Sequence, residues 1–448
     1  MKPCKISYFV TMGDSLSDRG TFYHRYLFGF IPLKRLSHLH EASPKGRFTN
    51  GFVWSDHVCA MLANESIIDE LMKKRHLDST DIADGIINHD PYIEHLVRQS
   101  YTLSDHQSIA YQGQDYVRNY NEAGTTAHDY HWTSGKNASQ LLCRNLVSTL
   151  SDMRHKLLKH DETHQISGKQ KAETLVIEWT GSNDFLLVDE RPSKIQADKA
   201  IANRVENIKQ LMQHGYRHFA LLDLPDISLT PRYQQMSEEE RINAHRCSIY
   251  FNKKLAEACK KIDCDYPDCS IEVFDVNTTF TNIVRDPEKY GFDSAKTKSP
   301  YIYSEDFKKD TSNKQMLPSA KKAMFWDDLH PTAMLHALIG EGFYKKFHEK
   351  YYFAAAKKQI KHPTETHTLE DAHTFHASKE NHTRHPLLFK GLAATATLFG
   401  LYKASTSYGF SVPTSAATAG LITLGLFAAR RPIESRKTET NQLEASAI

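Results

Sequence analysis

The stretch YFVTMGDSLSDRG, residues 8–20, joins a short apolar run to a polar turn near the start of the chain. The apolar residues 5–12 predict a buried strand that ends at Gly13, because a short continuous apolar run bounded by a turn residue is typical of a parallel strand. Ser15 then follows at the carboxyl end of that strand. Two interpretations are open at this point: an ordinary strand-to-helix turn with an N-cap, or a serine nucleophile.

The composition is that of a globular protein. Of the 448 residues, 40% are hydrophobic and 25% are charged. The 56 basic and 54 acidic residues nearly cancel, so no overall positive field favours nucleic acid, and we expect no nucleic-acid partner. The seven cysteines are scattered along the chain, and we expect free thiols, with a bridge between Cys264 and Cys269 as the one pairing left open.

The N-terminus has one short apolar run, residues 6–12, followed at once by polar sequence. A secretory signal has a longer apolar core and a small-residue cleavage site. We therefore expect a protein that is kept in the cytoplasm, or that is exported by a route that does not use such a signal.

Extended and helical patterns alternate along the chain, which predicts an α/β fold with a parallel sheet. Residues 64–118 have a weak pattern and are predicted to be mostly helix or loop. Further buried strands that end in polar turns are predicted within 173–184, 218–231 and 270–277. Helices are predicted at 52–63, 138–160, 198–213 and 238–262, and residues 15–26 are expected to begin another.

The segment FWDDLHPT, residues 325–332, carries the residue types that a serine nucleophile needs. Such a serine needs a base, and the base needs a third group that fixes its tautomer. Asp327 and Asp328 stand just before His330, so one tight turn supplies both groups. Taken alone, an Asp-x-x-His sequence is more often a solvated surface pair, and the structural explanation stays open for each short motif by itself.

Donors for a developing oxyanion are present in three predicted turns. The N–H of Ser15, the N–H of Gly124 and the side-chain amide of Asn183 are suitable groups. Ligands on open α/β sheets bind at the carboxyl ends of strands, where such turns converge. The order of serine, glycine, asparagine and a final Asp/His turn favours catalysis over four unrelated turns.

Seven blocks of the sequence, in this order, resemble the GDSL-type, or SGNH, serine hydrolases. Within that family the chain is most similar to the bacterial lipases that include glycerophospholipid:cholesterol acyltransferase and the thermolabile haemolysin-type phospholipases. The blocks are GDSLSDRG (13–20), GRFTNGFVWSDHV (46–58), NYNEAG (119–124), VIEWTGSNDF (176–185), LLDLPDISLTPR (221–232), FDVNTTFTNIVRDPEKYGF (274–292) and FWDDLHPT (325–332).

The resemblance implies a three-layer α/β/α, flavodoxin-like fold with a central parallel sheet. It implies that Ser15 is the nucleophile and an oxyanion donor, and that Gly124 and Asn183 complete the oxyanion hole. It further implies that His330 is the base, oriented by Asp327, with the adjacent Asp328 as the alternative acid. No metal or organic cofactor is expected.

The chain departs from the family pattern at three positions. Thr125 stands where the family often has a second glycine. Arg19 and Thr21 replace the usual threonine and asparagine after GDSLSD, and we expect both to line the entrance for the acyl chain.

The character of the sequence changes after about residue 352. The predicted domains are a hydrolase domain (1–352), a polar His-rich linker (353–385), an apolar helical hairpin (386–430) and a polar tail (431–448). The apolar stretches 386–402 and 408–429 leave three interpretations open: a membrane-spanning hairpin, an interfacial pair of helices, or a hairpin buried against the hydrolase domain. The linker histidines lack tight metal-ligand spacing, which favours a solvated segment.

These expectations combine into one function, a membrane-tethered lipolytic serine hydrolase. The resemblance implies that its substrates are phospholipids or lysophospholipids, in agreement with the apolar stretches, with transfer of the acyl group to an alcohol such as cholesterol as a further reaction. Delivery into a host cell as a bacterial effector is an additional hypothesis. The alternatives are an esterase for carbohydrate or small-molecule esters and a non-catalytic membrane adaptor. The sequence does not indicate an oligomeric state.

Overall fold

The computed structural model describes residues 4–27, 31–35, 39–40, 43, 46–63, 101–102, 107–111, 114–131, 133, 144–187, 191–310 and 320–353. Structural statements below concern these residues. The predicted apolar hairpin at 386–430 and the polar tail lie outside them, as does the predicted linker apart from its first residue.

A seven-stranded sheet occupies the centre of the described part of the chain. Its spatial order is β10-β9-β8-β2-β7-β6-β5. The five strands from β10 to β7 are parallel, whereas β6 and β5 run antiparallel at one edge. The described strands are β1 Cys4–Ile6, β2 Tyr8–Gly13, β3 Tyr26–Leu27, β4 Ile31–Pro32, β5 Tyr101–Thr102, β6 Ser108–Tyr111, β7 Gln114–Asn119, β8 Thr174–Trp179, β9 His218–Leu222, β10 Ser270–Phe274 and β11 Tyr351–Phe353.

The expected parallel sheet is therefore mixed, although its centre is parallel and its class is α/β. Numbered along the chain, the parallel strands take the order second, first, third, fourth, fifth, which is the flavodoxin-like arrangement. The direction of strand addition reverses between β2 and β8. Ligands bind at such a reversal, beyond the carboxyl ends of the strands.

The prediction of mostly helix or loop for residues 64–118 was wrong where the structure describes them, because β5, β6 and β7 lie there. In β7 the apolar pattern is interrupted by Arg118, which is only 5% exposed. Its guanidinium donates to Asp161 at 2.7 Å and to the Tyr216 hydroxyl at 3.2 Å. Hydrophobic periodicity does not predict a strand that contains a buried charged residue, because the partners of that charge are far away in sequence.

The first predicted strand divides into two. β1 pairs in parallel with β11, while β2 joins the central sheet. The last described residue, Phe353, belongs to β11 and its ring centroid lies 5.4 Å from that of Phe9.

The described helices confirm most of the helical predictions. The helix expected at 138–160 is interrupted within the described residues: positions 144–146 are helical, positions 147–149 are not, and a new helix begins at Leu150, where Thr149 forms a capping box with Asp152. Cys264 and Cys269 are free thiols. The helices are α1 Thr21–His24, α2 Trp54–Ala63, α3 Leu150–Thr163, α4 Gly168–Ala172, α5 Ser182–Leu186, α6 Lys194–Gln213, α7 Pro231–Gln234, α8 Glu238–Asp265, α9 Val276–Arg285, α10 Glu305–Lys309 and α11 Ala333–Lys350.

The helices form two groups that cover opposite faces of the sheet. α6 packs against α3 and α8, whereas α2 packs against α11, where the ring centroids of Trp54 and Phe343 lie 5.3 Å apart. Parallel crossovers are right-handed, so the reversal of strand order places the connection before β7 on the face opposite to the later ones. This handedness argument favours the expected α/β/α layering.

A buried ion cluster links the turn after β2 to α2. Asp56 accepts from Arg19 Nε at 2.8 Å and from Arg47 Nε at 2.6 Å, and all three side chains are at most 8% exposed. Burial acts to raise the pKa of Asp56, but the two guanidinium groups outweigh it and hold that pKa well below its usual range. Arg19, expected at the acyl entrance, is therefore part of a buried anchor.

We expect Asp56→Asn to lower the free energy of unfolding by about 3–5 kcal/mol at pH 7, because two buried guanidinium groups lose their counter-charge. The wild-type contribution is present above about pH 4, the usual pKa of aspartate, and is lost as the pH falls through the depressed folded-state pKa. Urea unfolding of the full chain measures both effects.

The matched control is Glu239→Gln, which removes a pair with Arg191 whose side chains are 77% and 58% exposed. Its effect should stay below about 1 kcal/mol. Equal effects of the two substitutions would contradict a special role for the buried cluster.

Candidate active site

Ser15 lies in the turn directly after β2, at the point where the strand order reverses. The N–H of Asp14 donates to the carbonyl of Trp179 at the end of β8, at 3.3 Å. The N–H of Glu122, just beyond β7, donates to the carbonyl of Gly13 at 2.9 Å. The turn is therefore tied to the ends of both neighbouring strands, and Ser15 itself is 9% exposed.

The structure brings together the three residues expected to form a catalytic triad. His330 Nε2 lies 2.8 Å from Ser15 Oγ. His330 Nδ1 lies 2.7 Å from Asp327 Oδ2. The other oxygen of Asp327 accepts the N–H groups of Leu329 at 2.8 Å and of His330 at 2.6 Å, which fixes the carboxylate relative to the imidazole.

Asp328, the alternative acid, bonds to a different partner. Its carboxylate accepts from Arg232 Nε at 2.7 Å, and its carbonyl accepts from the Arg232 N–H at 2.9 Å. Arg232 is the first residue after the Thr-Pro that ends the loop following β9. The two adjacent acids of the turn are thus separated, one toward His330 and one toward Arg232.

The segment that precedes α2 supports His330, a role that sequence reasoning did not assign. The ring centroid of Phe48 lies 5.1 Å from that of His330. Thr49 Oγ1 donates to the carbonyl of Pro331 at 2.9 Å, and Asn50 Oδ1 accepts the N–H of Ala333 at 2.8 Å. The block GRFTNGFVWSDHV was a signal of importance, but its function follows only from these contacts.

The charges around His330 favour its protonated form. Burial acts to lower the pKa of the imidazole, but Asp327 above all, and then Asp14 and Asp328, outweigh burial and raise that pKa above its usual value. The pKa of Asp327 is correspondingly lowered by His330, against the effect of burial. An imidazole poised in this way takes a proton readily from a neighbouring hydroxyl.

Asp14 is a buried acid to which the sequence analysis gave no role. It is 1% exposed, and its Oδ1 accepts the N–H of Leu16 at 3.0 Å. Burial raises its pKa to about 6, although the Leu16 N–H and His330 act in the opposite direction.

The expected oxyanion donors stand at the carboxyl ends of three neighbouring strands. No described group accepts a hydrogen bond from the N–H of Ser15 or of Gly124. Asn183 Nδ2 donates to the carbonyl of Thr125 at 3.0 Å, which ties this side chain to the residue after Gly124. Two of the three expected donor groups are therefore unpaired within the described structure, and the third is tied to the residue after Gly124.

Gly124 lies in a turn that requires glycine. The turn is closed by the N–H of Thr125, which donates to the carbonyl of Glu122 at 3.2 Å, and Gly124 has φ +82°. A Cβ at this position would lie 2.7 Å from Cγ1 of Val147. Thr125, the departure from the family pattern, also donates its hydroxyl to Glu122 at 2.7 Å and so reinforces the turn.

No cluster of three or more His, Cys, Asp or Glu side chains suited to a metal ion occurs among the described residues. The histidines of the predicted linker lie outside them.

Residues 9–343 match the family model of the GDSL-like Lipase/Acylhydrolase proteins. The chain belongs to this family. It is 22% identical over 385 residues to a phosphatidylcholine-sterol acyltransferase of Aeromonas hydrophila, an alignment that covers 77% of this chain and 91% of the relative. It is 23% identical over 350 residues to a thermolabile hemolysin of Vibrio parahaemolyticus, covering 76% of this chain and 64% of the relative.

A shorter similarity links this GDSL hydrolase to the secreted effector protein SseJ of Salmonella typhimurium. The two are 21% identical over 229 residues, which is 50% of this chain and 49% of the relative. Membership of the family places the chain among carboxylic ester hydrolases.

We expect Asp327→Asn to lower kcat for an ester substrate by about 10³–10⁴-fold, because the imidazole loses the group that fixes its tautomer. The acidic limb of the pH–kcat/KM profile should also move to lower pH, since Asp327 is the largest influence that raises the pKa of His330. Initial rates measured across the pH range give both quantities.

Asp328→Asn is the matched control, because it changes the adjacent acid and removes a pair whose side chains are 39% and 33% exposed. Its kcat should stay within about twofold of wild type. If Asp328→Asn lowered kcat as much as Asp327→Asn does, this result would contradict the assignment of the orienting role to Asp327.

Proposed function

We propose that this protein is a lipolytic serine hydrolase in which Ser15 attacks the ester carbonyl of a phospholipid or lysophospholipid. The observation that carries the proposal is the position of His330 between Ser15 and Asp327, with contacts of 2.8 and 2.7 Å on its two ring nitrogens. A nucleophile, a base and an orienting acid in hydrogen-bond contact are the requirements of acyl transfer through serine.

In the proposed reaction Ser15 Oγ forms a bond to the carbonyl carbon while His330 Nε2 takes its proton. Asp327 stabilises the resulting imidazolium. The former carbonyl oxygen, now negatively charged, accepts hydrogen bonds from the N–H groups of Ser15 and Gly124 and from the side-chain amide of Asn183. The tetrahedral intermediate then expels the alcohol of the lipid, which takes the proton from His330, and leaves an acyl-enzyme.

The second half of the reaction repeats this geometry with a new nucleophile. Water gives a proton to His330 and attacks the acyl carbon, and the bond from that carbon to Ser15 Oγ then breaks. Ser15 Oγ takes the proton back from His330, and a fatty acid is released. If an alcohol attacks the acyl carbon in place of water, the product is an ester of that alcohol. This is the acyl transfer that we propose as a further reaction. Neither half needs a group beyond the residues named.

Two facts support a lipid substrate over another ester. The relatives with long alignments include a phosphatidylcholine-sterol acyltransferase and a hemolysin, names that concern lipids and membranes. The stretches 386–402 and 408–429 are strongly apolar in a chain whose composition is otherwise that of a globular protein. A sterol is the acceptor that the first relative suggests.

The decisive comparison is fatty-acid release from phosphatidylcholine, lysophosphatidylcholine and a short-chain aryl ester, by the full chain and by Ser15→Ala. We expect release from the lipids, and a loss of at least about 10³-fold in Ser15→Ala, because the nucleophile is removed. Ser228→Ala is the control, since it deletes another buried serine hydroxyl, in the loop after β9. It should retain activity within about twofold.

Cleavage of the aryl ester alone would contradict the lipid substrate and favour a carbohydrate or small-molecule esterase. Equal activity of wild type and Ser15→Ala would contradict the nucleophile. Absence of activity toward all three substrates in the folded wild type would favour the alternative of a non-catalytic membrane adaptor.

We further propose that residues 386–430 attach the protein to membranes and that it acts as an effector inside another cell. Similarity to a secreted effector of Salmonella typhimurium supports the second part. No helix of the described residues has the length and apolarity to cross a bilayer, and residues 386–430 are outside that region.

One experiment tests both parts: co-culture of the producing bacterium with recipient cells, followed by fractionation and a high-salt wash of the recipient membranes. Helices that insert apolar residues resist such a wash, whereas charge-based attachment does not. We expect the protein in washed recipient membranes. Recovery in the soluble fraction would contradict the attachment, and recovery only from the producing cell would contradict delivery.

A further inference from the structure

The oxyanion segment, defined here as residues 122–128, carries Gly124 between two anchored ends. Its backbone is bonded to the turn after β2 through Glu122 and to Ser148, two residues before α3, through Thr126, whose N–H donates to the carbonyl of Ser148 at 3.3 Å. Gly124 itself forms no hydrogen bond with another described residue and is held there through its neighbours. The groups that bond to those neighbours therefore decide where its N–H points.

Asp18 is the first of these groups. Its side chain is 0% exposed, and its Oδ2 accepts the N–H of Ala123, directly before Gly124, at 2.8 Å. The remaining bonds to Asp18 come from the backbone N–H groups of Gly20, Thr21 and Phe22, at 2.8, 2.7 and 3.1 Å. One carboxylate thus joins the turn that contains Ser15 to the oxyanion segment.

Asp184 is the second group and it lies next to Asn183. It is also 0% exposed, and it accepts the N–H of Ala127 at 2.7 Å and the N–H of His128 at 3.0 Å. The oxyanion segment is therefore held on one side of Gly124 by Asp18 and on the other by the residue that follows the third oxyanion donor.

The burial of these two carboxylates without a cationic partner disfavours their ionised forms and so does not by itself stabilise the fold. Every hydrogen bond to Asp18 comes from a neutral N–H, and the groups that bond to Asp184 are likewise neutral. Burial accordingly raises the pKa of Asp18 to about 6 and that of Asp184 to about 7, despite those bonds. An ionised carboxylate is nevertheless the one side chain that accepts several N–H groups without presenting a donor of its own.

We propose that Asp18 and Asp184 are positioning residues that hold the N–H of Gly124 in register with the N–H of Ser15 and the amide of Asn183. The inference rests on the proposed function, because it concerns the stabilisation of an oxyanion in that reaction. Substituting either aspartate by asparagine keeps the size but turns an NH₂ group toward backbone N–H donors, which displaces the segment. Loss of one oxyanion donor costs about 10²–10³-fold in kcat in serine hydrolases.

The chain offers a closely matched control in Asp223, at the carboxyl end of β9. It is 6% exposed, and its Oδ1 accepts the N–H groups of Val276 and Asn277 at 2.7 and 3.0 Å. Burial raises its pKa to about 7, as for Asp184. Its bonds, however, hold the start of α9 and do not touch the oxyanion segment.

The experiment measures kcat and KM for a short-chain aryl ester with the full chain, at about pH 8.5, above the pKa of all three acids. The variants are Asp18→Asn, Asp184→Asn, Asp223→Asn and Ser15→Ala. We expect kcat to fall by about 10–10²-fold in the first two, with KM within about threefold, because the oxyanion forms only in the transition state. Asp223→Asn should show a comparable fall in melting temperature with kcat within about twofold.

Hydrogen exchange of the peptide that covers residues 122–128 is the second readout. It should rise in Asp18→Asn and Asp184→Asn and stay unchanged in Asp223→Asn. If Asp18→Asn does not fold, Asp184→Asn decides the question, since its bonds lie within α5 and the oxyanion segment.

A folded Asp184→Asn with wild-type kcat would overturn the inference while the proposed function stands. So would an equal loss of kcat in Asp223→Asn, which would show a general effect of buried acids. If wild type and Ser15→Ala are equally inactive, the proposed function fails and takes the inference with it, and this result is distinct from the other two.

Discussion

The hydrogen bond between His330 and Ser15 is the constraint on which the rest of the site depends. It spans 2.8 Å and joins residues 315 positions apart in the chain. To form it, the turn after β2 and the turn before α11 must both be immobilised at the same edge of the sheet. The turn before α11 is held by the Phe48–Asn50 segment and by Arg232, and the turn after β2 is held by the strand ends and the cluster around Asp56.

Buried charge is used in two opposite ways around this edge. Asp56 has two guanidinium partners and a lowered pKa, so its ionised form stabilises the fold. Asp14, Asp18 and Asp184 are bonded mainly to neutral N–H groups, and burial raises their pKa values from 3.8 to about 6, about 6 and about 7. From about pH 4, the usual pKa of aspartate, up to the raised pKa of each acid, the folded chain binds more protons than the unfolded chain. The free energy of unfolding therefore falls as the pH rises through this range, and these three acids oppose folding. Such a cost is typical of a functional site rather than of a core.

The flavodoxin-like strand order explains why these acids lie at the same edge of the sheet. Ser15, the oxyanion segment and Asn183 follow β2, β7 and β8, which are neighbours in the sheet although they are far apart in sequence. Their turns meet where the direction of strand addition reverses, and the acids that cap the following backbone meet there too. The same topology gives Asp223 a similar environment one strand further on, without a link to Gly124.

The sequence by itself determined the α/β class and three parallel strands after the first, and it singled out Ser15 and His330, which the structure brings into contact, because apolar runs and family blocks are local signals. It could not determine β7, since Arg118 is compensated by Asp161, 43 positions away. It left Asp327 and Asp328 equivalent in type, and only the tertiary structure directs one to His330 and the other to Arg232. The contacts of Asp18 and Asp184 were equally hidden, because a hydrogen bond to the backbone of a distant loop leaves no pattern in the residues that make it.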